Sequence, residues 1–151
     1  MYETSEDKTS PRIRQLSIFL ENRLGALLGV TRVLETHSIN ICALSITDAA
    51  DHAVVRVVVD RPSLACASLQ AEGYHIIEAD LLGISLPAAK VGGFRKVLTA
   101  LARAELNVHY VYAVVSGGQA AVIAFHVEDM DRAARVLVET GLALVGQDDL
   151  R

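Results

Sequence analysis

The chain has 151 residues, 52% of them hydrophobic and 21% charged, enough apolar material for one ordinary domain or two very small ones and too much for a disordered chain. Lys and Arg number 14 against 18 Asp and Glu, a net charge of -4, which argues against a nucleic-acid backbone or an anionic membrane surface as partner. Cys42 and Cys66 are too few for a disulfide scaffold and lack zinc-site spacing, and no apolar run nears the roughly 20 residues that cross a bilayer; the expected setting is cytoplasmic, with both thiols reduced and buried.

The polar segment 1–12 cannot bury enough surface to offset its ordering and is expected to be a flexible tail. Leu16, Ile18 and Leu20 then alternate with Ser17, Phe19 and Glu21, the period of a strand with two unlike faces. After Asn22-Arg23-Leu24-Gly25, the spacing of Leu27, Val30 and Leu34 predicts an amphipathic helix ending near His37. Ile39, Ile41 and Leu44 to Ile46 make a second strand, Asp48-Ala49-Ala50-Asp51 a polar turn, and Ala53 to Val59 a strongly β-branched third strand. Pro62 fits the first turn of a helix running to Gly73, because its missing N–H has no helical partner there anyway. Ile76 to Leu82 closes the unit as a fourth strand.

The same order then recurs. Leu82, Ile84 and Leu86 repeat Leu16, Ile18 and Leu20 at an offset of 66. Gly92, Val97, Leu101 and Asn107 match Gly25, Val30, Leu34 and Asn40 at 67, and Gly141 matches Gly73 at 68. The offset grows only where loops or helix ends lie, the places that tolerate insertion. Phe94, Val97, Leu98 and Leu101 form one helix face, and Met130, Ala133, Ala134 and Leu137 another. Val108 to Val115 and Ala120 to Val127 read as strands joined through Ser116-Gly117-Gly118-Gln119, a hairpin signal. The expected fold class is α+β: two ferredoxin-like β-α-β-β-α-β repeats, 13–80 and 81–151, each an antiparallel sheet with both helices on one face. One such unit leaves a sheet face bare and buries little surface alone. The two should therefore pack together, with turn 22–27 facing the segment around Asn107, and the pair should form a homodimer.

The chemistry concentrates in Leu20-Glu21-Asn22-Arg23-Leu24-Gly25-Ala26-Leu27. Gly25 lets the backbone approach a ligand, and the N–H groups that open the helix are donors at the positive end of its dipole, a place that suits a carboxylate. Asn22 adds an amide that can donate to a carboxylate and accept from an ammonium, the two groups of an α-amino acid. As a helix cap it would serve geometry alone, and the residues by themselves leave both readings open. Together with Ser38-Ile39-Asn40-Ile41, and with Leu106-Asn107-Val108 in the second copy, this segment resembles the ACT domain, and the likeness extends over residues 13 to 149. The resemblance implies a non-catalytic regulatory protein with no cofactor, which senses a small ligand, usually a free amino acid, at an interface between ACT units and signals it allosterically to a separate effector protein or enzyme. It also implies roles. Asn22, Arg23, Leu24, Gly25, Ala26 and Leu27 would hold the ligand's polar end, while Asn40 with Ile41, or Asn107 with Val108, reaches across from the adjoining unit. Leu24 and Leu27 favour an apolar amino acid.

The sequence departs from the family wording in two places. Leu24 stands where proline is usual, which costs rigidity and leaves the donors in place. The second turn, Pro87 to Gly93, is one residue longer and has Ala88 where Asn22 would lie, so the first turn is the expected ligand site and Gly92-Gly93 with Lys90 is read as structural. The five histidines show no close ligand pair and no catalytic spacing, so no metal site is expected; His109, beside Tyr110 and Tyr112, is set apart as a residue that could line the interface. An RNA-binding module would need sheet-face aromatics and a basic surface. An enzyme resembling acylphosphatases would need a different arginine turn. The alternative that the sequence does sustain is a ligand-independent assembly or protein-interaction module of ACT fold.

Overall fold

In the computed structural model, which describes residues 10–21, 24–48, 50–87, 91–115 and 121–150, the alternating segment forms β1 (Ile13–Glu21), and Leu16, Ile18 and Leu20 are buried beneath a helical layer. The chain continues through α1 (Leu24–Thr36), β2 (Ile41–Asp48), β3 (His52–Val59), α2 (Pro62–Ala71) and β4 (His75–Leu86). It then passes through α3 (Gly93–Arg103), β5 (Val108–Val114), β6 (Ala121–Val127), α4 (Met130–Glu139), β7 (Ala143–Val145) and a short 3-10 helix at Gln147–Leu150. The fold is α+β, with two ferredoxin-like units. Of the segment expected as a tail, residues 1–9 lie outside the described residues, as does the expected turn 116–119; Arg12 is described, and its guanidinium pairs with Asp131 at 2.8 Å.

The repeated element order ends one strand and begins another at Leu82, but the structure has a single strand of 12 residues there. His75–Leu86 contains no proline, and its Asp80, Gly83 and Ser85 all keep ladder partners, so nothing in the backbone forces a break. All strand pairs are antiparallel, in the order β2-β3-β1-β4-β6-β5 with β7 also beside β4. His75 to Leu81 pair with β1, whereas Leu82 to Leu86 pair with β6 and Gly83 to Ser85 with β7. Each half of β4 thus serves a different four-stranded sheet. Ile76 faces the first helical layer and Leu82, Ile84 and Leu86 the second, while Leu81 faces the opposite way. The sheet curls about β4 until its outer strands meet, the Val115 N–H donating to the Cys42 carbonyl at 2.8 Å. The two faces that would otherwise be bare cover one another: Ile13, Ala43, Val58, Leu81, Val114, Val122 and Ala124 share one cluster with Tyr110 and Tyr112 at its edge. Gly83 permits the crossing. A Cβ there would stand 2.8 Å from the Val145 carbonyl oxygen and collide with the Ile13 side chain.

Both thiols are free; Cys42 is buried as expected, but Cys66 is only half-buried at the edge of the first core. Burial, with a smaller contribution from Asp60, pushes the Cys42 thiol pKa up, which leaves it a packing residue.

The two outer cores are images of one another. Leu16, Ile18, Leu20, Val30, Leu34, Ala65 and Leu69 in the first correspond to Leu82, Ile84, Leu86, Val97, Leu101, Ala133 and Leu137 in the second, and all are buried. The helix ends repeat too. Ile39, Tyr74, Leu106 and Leu142 donate their N–H groups to the carbonyls of Leu34, Leu69, Leu101 and Leu137, the closure that requires a left-handed residue just before it. Gly73 and Gly141 fill that position in α2 and α4, but Ser38 (φ 54°) and Glu105 (φ 56°) fill it in α1 and α3. A side chain at such φ is strained where glycine is not. Ser38→Gly and Glu105→Gly should therefore each raise unfolding free energy in urea by about 0.5–1 kcal/mol.

Among the described residues, Gln15 is the one polar residue buried in the core, at 1% exposure. Its Nε2 donates to the Tyr110 hydroxyl at 2.7 Å, and its Oε1 accepts from the Tyr112 hydroxyl at 2.6 Å. Burial first, and then Tyr110, raise the Tyr112 pKa against the opposing effect of Arg56, so the phenol remains a donor throughout the neutral range. Tyr112→Phe should leave Oε1 without that donor inside the core and lower stability in urea by about 1–3 kcal/mol.

Candidate ligand site

The expected ligand turn lies where β1 passes into α1. The helix starts at Leu24, so the N–H groups of Gly25 and Ala26 belong to its first turn and have no acceptor within the helix. Asn22 and Arg23 lie outside the described residues. Gly25 is exposed, and a Cβ built on it meets no atom within 4 Å, so the space above the turn is open. Ala26 and Leu27 pack against the first core and anchor the turn from below. Strand register fixes its place: Glu21 pairs with His52, and Phe19 pairs with His75, their rings 5.3 Å apart. The turn therefore sits beyond the first residue of β4, at one extremity of the molecule.

Asn40 stands at the other end of the same sheet, just before Ile41, which pairs with Val59. Its backbone N–H and its Nδ2 donate to the two carboxylate oxygens of Asp60, at 3.0 and 3.2 Å, and the Asp60 N–H donates back to the Asn40 carbonyl at 3.1 Å. Asn107 makes the same three bonds with Glu128, at 3.2, 3.5 and 3.2 Å. Each asparagine thus ties the start of one strand to the end of its neighbour. Val108, next to Asn107, pairs with Val127, and Phe125 pairs with Leu82, which sets this corner beside the middle of β4. Turn 24–27 lies roughly 20 Å away along the strand direction. The expected facing of the turn and Asn107 within one chain is therefore not found, because the units follow one another along a shared strand.

At the second turn, Gly92 adopts φ 92° and precedes α3 without a side-chain cap; Ala88 and Lys90 lie outside the described residues. Beyond it, a groove of about 790 Å³ runs between α3 and α4, with Arg95, Lys96, Arg103 and Glu139 around Ala100 and Val136. Nothing in the sequence reading pointed to this groove. Nor did it pair any histidines, whereas the structure sets His109 Nδ1 3.1 Å from His126 Nδ1. Tyr110 pairs with His126, and an irregularity between Val108 and Tyr110 brings His109 alongside; counting back from the hairpin turn would have found the first of these relations but not the bulge. Burial, then His109 and then Arg56 lower the His126 pKa, and the Arg56 guanidinium lies 4.3 Å from the centre of the Tyr110 ring.

The duplicated unit, the donor turn opening its first helix and the paired asparagine corners agree with what the sequence as a whole matches: the ACT domain pair family, over residues 11–151. The chain belongs to that family. Protein BT0572 from Bacteroides thetaiotaomicron is similar to this ACT pair in sequence and structure, with 33% identity, a TM-score of 0.85 and coverage of 93% of this chain and 96% of that one. The regulatory subunit of aspartate kinase from Thermus thermophilus, in a ligand-free form, shares the fold at 14% identity, with a TM-score of 0.60 and coverage of 87% and 94%. Its counterpart from Thermus flavus does so with a TM-score of 0.56 at the same identity and coverage. A search of curated proteins returns no match. Among the described residues of the ACT pair, no helix is long and apolar enough to cross a membrane. Asp60 and Glu128, which hold the two asparagines, were missed in the sequence although a signal was there: an acidic residue follows Asn40 by 20 positions and Asn107 by 21.

Proposed function

We propose that this ACT pair is a non-catalytic, cytoplasmic regulatory protein that binds a free α-amino acid between ACT units and transmits its presence to a separate effector. The observation that carries the reading is the donor-rich turn at the start of α1, open above Gly25, in a chain of a regulatory family. The first-turn N–H groups and the Asn22 amide suit the ligand's carboxylate, with Arg23 beside them. The Asn40–Asp60 and Asn107–Glu128 corners offer carboxylate oxygens and an amide oxygen, which suit an ammonium. Ile41 and Val108 adjoin those corners, and Leu24 and Leu27 in the sequence of the turn favour an apolar amino acid. Because one chain keeps turn and corners at separate places, the adjoining unit in this reading comes from a second copy, as a homodimer.

A second reading has its own support. Ile41, Leu44 and Ile46 on the edge strand β2 are 41%, 46% and 48% exposed, an apolar edge suited to assembly without any ligand.

Calorimetry of the intact chain against each of the twenty amino acids separates the two. One amino acid should bind saturably, and Asn22→Ala should remove most of that binding. Asn107→Ala should weaken it about ten- to a hundredfold, the equivalent of one hydrogen bond to a charged group, while Lys90→Ala changes little. No heat from any amino acid at millimolar concentration would leave the assembly reading in its place.

A further inference from the structure

The His109–His126 pair has no part in the ligand scheme, yet its geometry is specific. The Nδ1 atoms are 3.1 Å apart, the ring centres 5.2 Å apart and the planes inclined by 29°. As a plain hydrogen bond, the contact needs one Nδ1 to carry a proton and the other to be bare. A metal ion asks for nearly the same placement. Two imidazole nitrogens on one tetrahedral ion, each at about 2.0–2.1 Å, lie about 3.3 Å from one another with ring centres about 5 Å apart. Exchanging the shared proton for an ion therefore requires little movement of either ring.

The surroundings hold one ligand firmly and leave the other accessible. His126 is partly buried and stacks on Tyr110 at 5.1 Å with planes 10° apart, and Tyr110 is in turn bonded to the buried Gln15. A ring braced in this way is pre-organised for ligation. His109 is exposed on the bulge of β5, so an ion can reach the pair from solvent. Arg56, over Tyr110, opposes a cation electrostatically. Among the described residues, no group of three or more His, Cys, Asp or Glu converges. We infer that His109 and His126 form a two-imidazole site for a divalent transition-metal ion that favours nitrogen ligands, Zn²⁺, Ni²⁺ or Cu²⁺, with water in the remaining positions.

The test is titration of the intact, untagged chain with each chloride salt by calorimetry, with the histidine ring resonances followed by NMR for Zn²⁺. One ion per chain is expected, shifting the His109 and His126 resonances ahead of those of His37, His52 and His75. His109→Ala, at an exposed position, should weaken binding about tenfold or more, as should His126→Ala, whereas His52→Ala should not. Far-UV circular dichroism identifies a variant that has unfolded, in which case His109→Gln takes its place. No saturable binding at a several-fold excess of any of the three ions, or binding that His109→Ala leaves intact, would overturn the site.

Discussion

Because β4 is one continuous strand serving two sheets, the two repeats of this chain are joined along its length with no linker between them. β1 and β7 lie end to end along it, with Ile13 opposite Leu81 and Val145 opposite Gly83. Gln147 stitches the junction: its N–H donates to the Arg12 carbonyl at 2.9 Å, its Oε1 accepts from the Arg14 N–H at 3.0 Å, and its Nε2 donates to the Val59 carbonyl at 2.7 Å. Opening the two sheets would also bring the inter-sheet cluster into water and break the bonds of Gln15 to Tyr110 and Tyr112. Close-packed interiors resist such motion, since a partial opening forfeits contacts before water can replace them. The pair is therefore one mechanical body.

That rigidity decides where a ligand can act. A ligand shifts an equilibrium only by binding one of its states better than the other. With the packing inside the chain fixed by a continuous strand, the states available for biasing are arrangements of one chain against another. The exposed apolar side chains of β2 beyond its contact with β5, and the outer ends of the two units, are the surfaces open to such arrangements. The location of turn 24–27 at an extremity, beyond the first residue of β4, fits a site completed from outside the chain better than one buried at its centre.

The repeat itself was fully legible in the sequence, because a buried position constrains residue type wherever it recurs. Leu34 and Leu101, or Leu69 and Leu137, are each almost wholly buried in equivalent helices, and their periodicity identifies the elements without reference to any contact. What the sequence could not convey was the relation between repeats. Alternation runs through Leu82 without a mark, and whether residues 75–86 form two strands or one depends on partners far along the chain. The inter-sheet core is likewise distributed among Ile13, Cys42, Val58, Leu81 and Val122, no two of which share a local pattern. In the candidate site, the donor turn was legible from its glycine and its position before a helix. The Asn–carboxylate corners were visible only in part, since the asparagines stood out while their partners lay in strand-end loops that periodicity ignores. The His109–His126 contact was hidden by a bulge, which shifts register by one residue and so defeats counting.

Duplication explains which features are common to both units and which are particular to one. The core, the left-handed helix ends and the asparagine corners recur, because each solves a problem every copy of the fold has: filling a helix–sheet interface, closing a helix, and joining the start of one strand to the end of the next. The outer helix faces do not recur. Where α1 carries Leu28, Gly29 and Thr36, the equivalent positions of α3 carry Arg95, Lys96 and Arg103, and these line the groove against α4. The donor turn differs as well, since the second copy has an added residue and a left-handed Gly92 ahead of its helix. Features demanded by folding should be symmetric in such a protein, so asymmetry identifies surfaces free to acquire separate tasks. On that argument the first turn, the His109–His126 pair and the cationic helical groove are the places where this chain differs from a fold simply repeated.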